Sequence, residues 1–268
     1  MNPQPINVTI VQAPLEWADK DVNLKYFTDQ LTALDQPSDL IVLPEMFATG
    51  FVTDPDNISE TMDGVVMQWM SKTAKQLNCV ITGSIAVSEK QEFFNRLIWM
   101  RPDGTYEQYD KRHLFRMGNE HHKFSQGSKQ LIVELKGWKI KPMVCYDLRF
   151  PVWSKNRLKN DSYEYDMLIY VANWPASRAY IWQSLLQARA IENQAYCIGV
   201  NRIGDDGKGI PHLGGSVIID FKGKVITGCA DNEPDVLTHL FDYNSLNHYR
   251  EQFKVALDWD EFTIMNID

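Results

Sequence analysis

Short apolar runs rich in β-branched residues alternate along the chain with amphipathic stretches. Runs at 6–11, 40–43 and 80–87 read as strands, and the stretches between them at 23–34 and 65–77 read as helices. Strands separated by helices build a mostly parallel sheet with helices packed against it. The rhythm then changes. Runs at 94–100 and 105–109 flank the turn sequence Pro102-Asp103-Gly104 and predict a hairpin, and a second hairpin at Gly137 joins 131–135 to 140–145. Another alternating block follows, with a helix expected over 151–158, a buried strand at 167–171, a long helix at 182–193 and a strand at 196–200. A late hairpin joins 216–220 to 224–227 through Lys222-Gly223, and 236–241 adds a last strand. No linker, repeat or low-complexity tract interrupts this, so the expectation is one α/β domain over 1–268 whose halves each place a sheet under helices.

Composition narrows the partners. At 268 residues and 44% hydrophobic content the chain can bury a substantial core. Its formal net charge of -8 repels phosphate backbones and anionic lipid headgroups, which argues against nucleic acid and membrane partners. The start Met1-Asn2-Pro3-Gln4-Pro5 lacks the basic and then apolar organisation of a secretory signal, and no apolar stretch is long enough to cross a bilayer. The four cysteines, Cys79, Cys145, Cys197 and Cys229, lie far apart and form no CxxC pair. That spacing argues against a disulfide framework or a structural zinc site and suggests free thiols in a reducing, cytoplasmic compartment.

Three polar residues share one topological address. Cys145 closes an apolar run just before Tyr146-Asp147-Leu148-Arg149-Phe150-Pro151, so it sits at a strand's carboxyl end, where open α/β sheets bind ligands and where free backbone N–H groups favour a thiolate. Glu45 follows the buried-strand pattern 40–44, where desolvation would raise a carboxyl toward the range of a general base. Lys111 ends the approach 105–111, and its ammonium could steady a thiolate or an oxyanion. Each also has an ordinary reading on its own: a small buried hydrophobe, an ion-paired or helix-capping glutamate, a solvated lysine. Together they supply the nucleophile, base and cation that amide hydrolysis requires. Of the six histidines only His113 lies near this group, and a structural role suits it better. Glu120-His121-His122 lacks metal-ligand spacing, so no metal is expected, and Gly204-Asp205-Asp206-Gly207-Lys208-Gly209 fits a turn rather than a phosphate loop.

The segments Leu43-Pro44-Glu45, 109–115 and 144–151 resemble, in order and spacing, the base, lysine and nucleophile motifs of the nitrilase superfamily of carbon–nitrogen hydrolases. The resemblance spans nearly the whole chain, including 188–194, 201–204 and the Gly214-Gly215-Ser216 turn. It implies a four-layer αββα sandwich, usually paired into a homodimer, and a second glutamate, which the count back from Gly127 places at Glu120; a solvated loop carboxylate is the other reading there. Cys145 to Trp153 and 170–176 look most like the omega-amidase branch, which hydrolyses monoamides of dicarboxylates such as 2-oxoglutaramate and 2-oxosuccinamate. That small-molecule substrate would need a cation for its carboxylate. Arg149 and then Arg178 are the candidates, with Trp174 as an apolar wall, although Arg149 could instead pair with Asp147 or Glu192 and Trp174 could be core. The implied route has Glu45 activate Cys145, and Lys111 with the Tyr146 backbone N–H hold the oxyanion, without a metal or organic cofactor.

Overall fold

The alternation in the first ninety residues builds one sheet. In the computed structural model, which describes residues 3–265, β1 (Ile6–Gln12), α1 (Lys20–Thr32), β2 (Leu40–Val42), α2 (Val65–Leu77) and β3 (Val80–Glu89) follow in turn, and β1, β2 and β3 run parallel. β4 (Glu92–Met100) and β5 (Tyr106–Asp110) extend this sheet antiparallel. The chain then repeats the plan with β6 (Val133–Leu135), β7 (Trp138–Val144), α3 (Pro151–Ser154), the small hairpin β8 (Leu158–Lys159) and β9 (Ser162–Tyr163), β10 (Met167–Ala172), α4 (Ala179–Asn193) and β11 (Tyr196–Asn201). β12 (Ile203–Asp205) and β13 (Pro211–Leu213) form a separate hairpin, β14 (Val217–Ile219) and β15 (Val225–Gly228) complete the second sheet, and β16 (Asp235–Phe241) returns to pair with β1 before α5 (Tyr243–Gln252). The two six-stranded sheets are ordered β16-β1-β2-β3-β4-β5 and β15-β14-β11-β10-β7-β6, so each has three parallel strands at its centre.

The central strands of both sheets are buried on both faces, as parallel strands covered on each side must be. Ile6, Val8, Ile10 and Trp99 of the first sheet join Ile140, Ile169 and Ile198 of the second in one buried cluster. Behind the first sheet, Phe27 and Leu31 of α1 and Met67 and Met70 of α2 pack with Ile41 and Ile81. Behind the second, Trp182 and Leu186 of α4 close on β11 where Gly199 leaves room; a Cβ there would lie 2.4 Å from Leu186 Cδ1. Each such side chain contributes about 1.5–3 kcal/mol on burial. The result is the four-layer αββα sandwich. Among the described residues no helix is long and apolar enough to cross a membrane.

The structure departs from the sequence reading in three places. β3 and β4 are longer than the apolar runs and form a hairpin of their own, turning at Lys90 and Gln91 with φ of 51° and 67°. The polar run between them reads as loop because its alternation carries no apolar face. The helix expected over 151–158 ends at Ser154, since buried Asn156 is claimed by other partners: its N–H donates to Asn193 Oδ1 at 2.7 Å and its side chain to Tyr165 O at 2.9 Å. Helix α5 and the β8–β9 hairpin gave no periodic signal strong enough to be expected.

Lys141 of β7 is buried between these layers with one hydrogen bond, from Nζ to Trp153 O at 2.9 Å. Burial, and then Arg157, hold its ammonium down to about 8 against the pull of Glu164 and Asp147. Below pH 8 the charged form carries the whole penalty. Between about 8 and the ordinary lysine value near 10.4 the folded chain binds fewer protons than the unfolded one, so stability rises with pH there. Lys141→Met should raise stability at pH 7 by on the order of 1–3 kcal/mol and reduce that rise, leaving the part due to Lys155, which burial also holds down to about 8. Trp153 O keeps Gln130 Nε2 as a donor at 3.0 Å. Urea denaturation at pH 7 and pH 9.5 checks this, and an unchanged rise in the variant would assign it to another group.

Candidate active site

Glu45, Lys111 and Cys145 each stand just past the carboxyl end of a strand, β2, β5 and β7 respectively. The first two belong to one sheet and the third to the other, so the group assembles between the sheets. Glu45 lies in a turn where Met46 takes φ of 45° and donates its N–H to Ser84 Oγ at 2.9 Å. Lys111 is fixed to β4 through its N–H, which donates to Asn95 O at 2.9 Å. Cys145 has φ of 44° and opens a single helical turn, Cys145–Arg149. A left-handed residue with a side chain is uncommon and strained, and such residues gather at functional sites.

Buried polar side chains tie these ends together. Lys111 Nζ donates to Glu45 Oε1 at 2.8 Å and to Glu120 Oε2 at 2.9 Å, and all three residues are fully buried. Asn95 Nδ2 donates to both carboxylates, at 2.9 Å and 3.1 Å, while the Phe115 N–H donates to Glu120 at 2.6 Å. From the other sheet, the Asn173 N–H donates to Glu45 Oε2 at 2.8 Å, and Asn173 O lies 4.0 Å from Cys145 Sγ. The reading of Glu120 as a solvated loop carboxylate is excluded by its burial on Lys111. Its neighbours His121 and His122 lie against each other, their rings tilted by 37° with centroids 3.9 Å apart.

The cluster holds two carboxylates against one ammonium. Burial alone would lower the Lys111 ammonium, but Glu120 and Glu45 outweigh it and hold the group protonated well above the ordinary lysine value. Burial raises Glu120, with Lys111 opposing and Glu45 adding to the shift. Burial, followed by the Glu45 carboxylate, pushes the Cys145 thiol far up, and Lys111 only partly offsets them. The resting sulfur is therefore a protonated thiol beside a carboxylate able to receive its proton.

A cavity of about 420 Å³ opens above the thiol, lined among others by Tyr146, Arg149, Trp174, Arg178 and His212. Arg149 lies 5.1 Å over the Trp174 ring, and Arg178 lies 5.4 Å over Phe115 with Nη1 3.6 Å from Met117 Sδ. The alternative pairings of Arg149 do not form: Asp147 accepts from Tyr109, His113 and Val144, and Glu192 pairs with Arg189. Among the described residues neither guanidinium has a carboxylate partner. Trp174 is 3% exposed yet lines the cavity, so it serves as both core and wall. Tyr146 packs edge-on against Phe115 and Phe150. His113 stacks on Phe150 at 3.7 Å outside this cavity.

Sequence reasoning gave no role to Asn95, Asn173 or His212. Asn95 is a polar residue inside β4, between Phe94 and Arg96, and Asn173 directly follows β10, the same address as the other three. Those signals were available. Nothing in the sequence pointed to His212, which comes from the β12–β13 hairpin.

Residues 7–251 match the carbon–nitrogen hydrolase family. The chain is 45% identical to the omega-amidase YafV of Escherichia coli strain K12, over 97% of this chain and 98% of that one. It is 31% identical to a 2-oxoglutaramate amidase of Bacillus subtilis strain 168, over 94% and 96%. A CN-hydrolase superfamily protein of Xanthomonas campestris with an arsenic adduct in its active site superposes with a TM-score of 0.95 at 40% identity, covering 97% of this chain and 99% of that one.

Alkylation reads the state of the thiol. Because burial and Glu45 hold Cys145 protonated, its reaction rate with iodoacetamide should keep climbing through pH 9 without a plateau near neutrality. Peptide mapping of the labelled residue across pH 5–10 checks this. A plateau with a midpoint below pH 7 would instead show a preformed thiolate–ammonium pair with Lys111.

Proposed function

The chain belongs to the carbon–nitrogen hydrolase family, and on that premise we propose that it is an omega-amidase, converting monoamides of dicarboxylates such as 2-oxoglutaramate and 2-oxosuccinamate to the acid and ammonia. The observation that carries the substrate class is the pair Arg149 and Arg178, two guanidiniums that line the cavity with Cys145 and have no carboxylate partner among the described residues. The relative at 45% identity is itself an omega-amidase, which supports the same reading.

In the proposed reaction the substrate carboxylate lies against Arg149 and Arg178, with Trp174 and Tyr146 walling the carbon chain, so that the amide carbon faces the sulfur. Glu45 takes the thiol proton as the carbon–sulfur bond forms. Lys111, and the Tyr146 backbone N–H at the start of its helical turn, hold the oxyanion. Glu45 returns the proton to the departing nitrogen, leaving a thioester and ammonia. It then takes a proton from water, whose oxygen attacks the thioester, and the acid leaves as the thiol is restored. Glu120 and Asn95 hold Lys111 and Glu45 in place throughout.

The proposal also has the whole chain act as one catalytic domain in a cytoplasmic homodimer. Tyr180 and Ile191 of α4 and Val225 of the nearby β15 are 83%, 55% and 46% exposed, an apolar surface that a second copy would cover. Sedimentation at twice the chain mass checks the dimer. For the compartment, the support is that all four cysteines are free, one of them the proposed nucleophile.

Cys145→Ala should abolish ammonia release from 2-oxoglutaramate while leaving the denaturation midpoint unchanged within error. Arg149→Leu should raise KM for 2-oxoglutaramate by about 10- to 100-fold, the loss of a charge-assisted pair, and change turnover of a neutral amide of equal length less than threefold. Equal loss on both amides would remove the carboxylate role of Arg149. Faster turnover of a nitrile or an N-carbamoyl amino acid than of any carboxylated amide would replace the omega-amidase reading with another activity of the family.

A further inference from the structure

Asp147 stands two residues after the nucleophile, takes no part in the chemistry proposed above, and is fully buried. It accepts four hydrogen bonds. Tyr109 O–H donates to Oδ2 at 2.8 Å and the Val144 N–H to the same oxygen at 3.1 Å, while the His113 N–H and Nδ1 approach Oδ1 at 3.0 Å and 2.8 Å. Tyr109 and His113 stand two residues before and two residues after Lys111, and Val144 immediately precedes Cys145. One carboxylate therefore grips both flanks of the lysine from the first sheet and the nucleophile's own turn from the second.

We propose that Asp147 is a positioning residue that fixes the distance between the oxyanion-binding ammonium and the sulfur. Lys111 and Cys145 sit on different sheets, and apolar packing between sheets fixes their separation less sharply than directional bonds do. Polar bridges that cross between the sheets beside this group include Glu45 to Asn173, and Asp147 to Tyr109 and His113. The Tyr109 oxygen also accepts from Trp153 Nε1 at 2.9 Å and from the Arg112 N–H at 3.2 Å, so it cannot turn elsewhere without leaving donors unpaired. Asp147→Asn replaces one accepting oxygen by an NH2 that must face groups which are already donors. The bridge then opens on one side, and Lys111 drifts from the developing oxyanion.

The inference rests on the amidase reading of this site, and its test separates the two. Wild type and variants are assayed on whichever amide the wild type turns over fastest, with kcat expressed per Cys145 thiol counted by active-site alkylation. Asp147→Asn should lower kcat about 10- to 100-fold with KM within threefold, as expected for a small displacement of a catalytic group. Tyr109→Phe, which keeps the ring and deletes the hydroxyl, should lower kcat about threefold to tenfold, and the double variant should fall no further than Asp147→Asn alone, since both cut one bridge. If the Asn variant does not fold, the Phe variant decides alone. A kcat per thiol within twofold of wild type in every variant that folds, or multiplicative losses in the double variant, would overturn the positioning role. A wild type inactive on every amide would instead overturn the amidase reading.

Discussion

The site depends on one ammonium shared by two buried carboxylates. An isolated charge at the depth of Lys111 costs several kcal/mol in lost hydration, and burying Glu45 and Glu120 beside it multiplies that cost unless each lone pair finds a donor. Here they do. Asn95, Asn173 and the Phe115 N–H supply the hydrogen bonds that the single lysine cannot, and they come from both sheets and the loop after β5. Burial and then the Glu45 carboxylate beside the sulfur resist formation of a thiolate at rest. In the proposed reaction the sulfur gives up its proton only as the negative charge moves onto the substrate oxygen near Lys111.

The fold makes this arrangement possible by repeating itself. Each sheet has three central parallel strands, and parallel strands deliver their carboxyl ends to one side. Packing two such sheets face to face brings the ends of β2 and β5 to those of β7 and β10. Side chains reach the gap because the backbone turns sharply there, at Met46 and Cys145, both in the left-handed region. The strain of those turns is offset by bonds that only this tertiary context provides, such as the Met46 N–H to Ser84.

Much of this was legible in the sequence because it is written in periodicity. The buried strands 40–43, 140–145 and 167–171 announced themselves as apolar runs, and Glu45 and Cys145 at the ends of the first two marked the site, whereas Asn173 after the third drew no role. What stayed hidden depends on distant partners. The helix expected over 151–158 stops early because Asn156 prefers Asn193 and Tyr165, residues whose proximity no local window reveals. Resemblance placed Glu120, but its burial came from the fold of the loop around Phe115. Arg149 could not be assigned among its possible partners until Asp147 and Glu192 were seen to be occupied.

The distribution of charge gives the proposed reaction a direction. Glu45 and Cys145 line the cavity together with Arg149 and Arg178, and among the described residues neither guanidinium has a carboxylate partner. A substrate with a carboxylate at one end and a neutral amide at the other meets a field that orients it before any contact is made: the carboxylate is drawn to the guanidiniums and kept from Glu45, which leaves the amide facing the sulfur. Hydrolysis then creates a second carboxylate beside Glu45 and Glu120. Like charges at that depth repel strongly, so the same two glutamates that hold the ammonium also weaken the hold on the product. Attraction at one end and repulsion at the other thus favour a monoamide on entry and its diacid on exit.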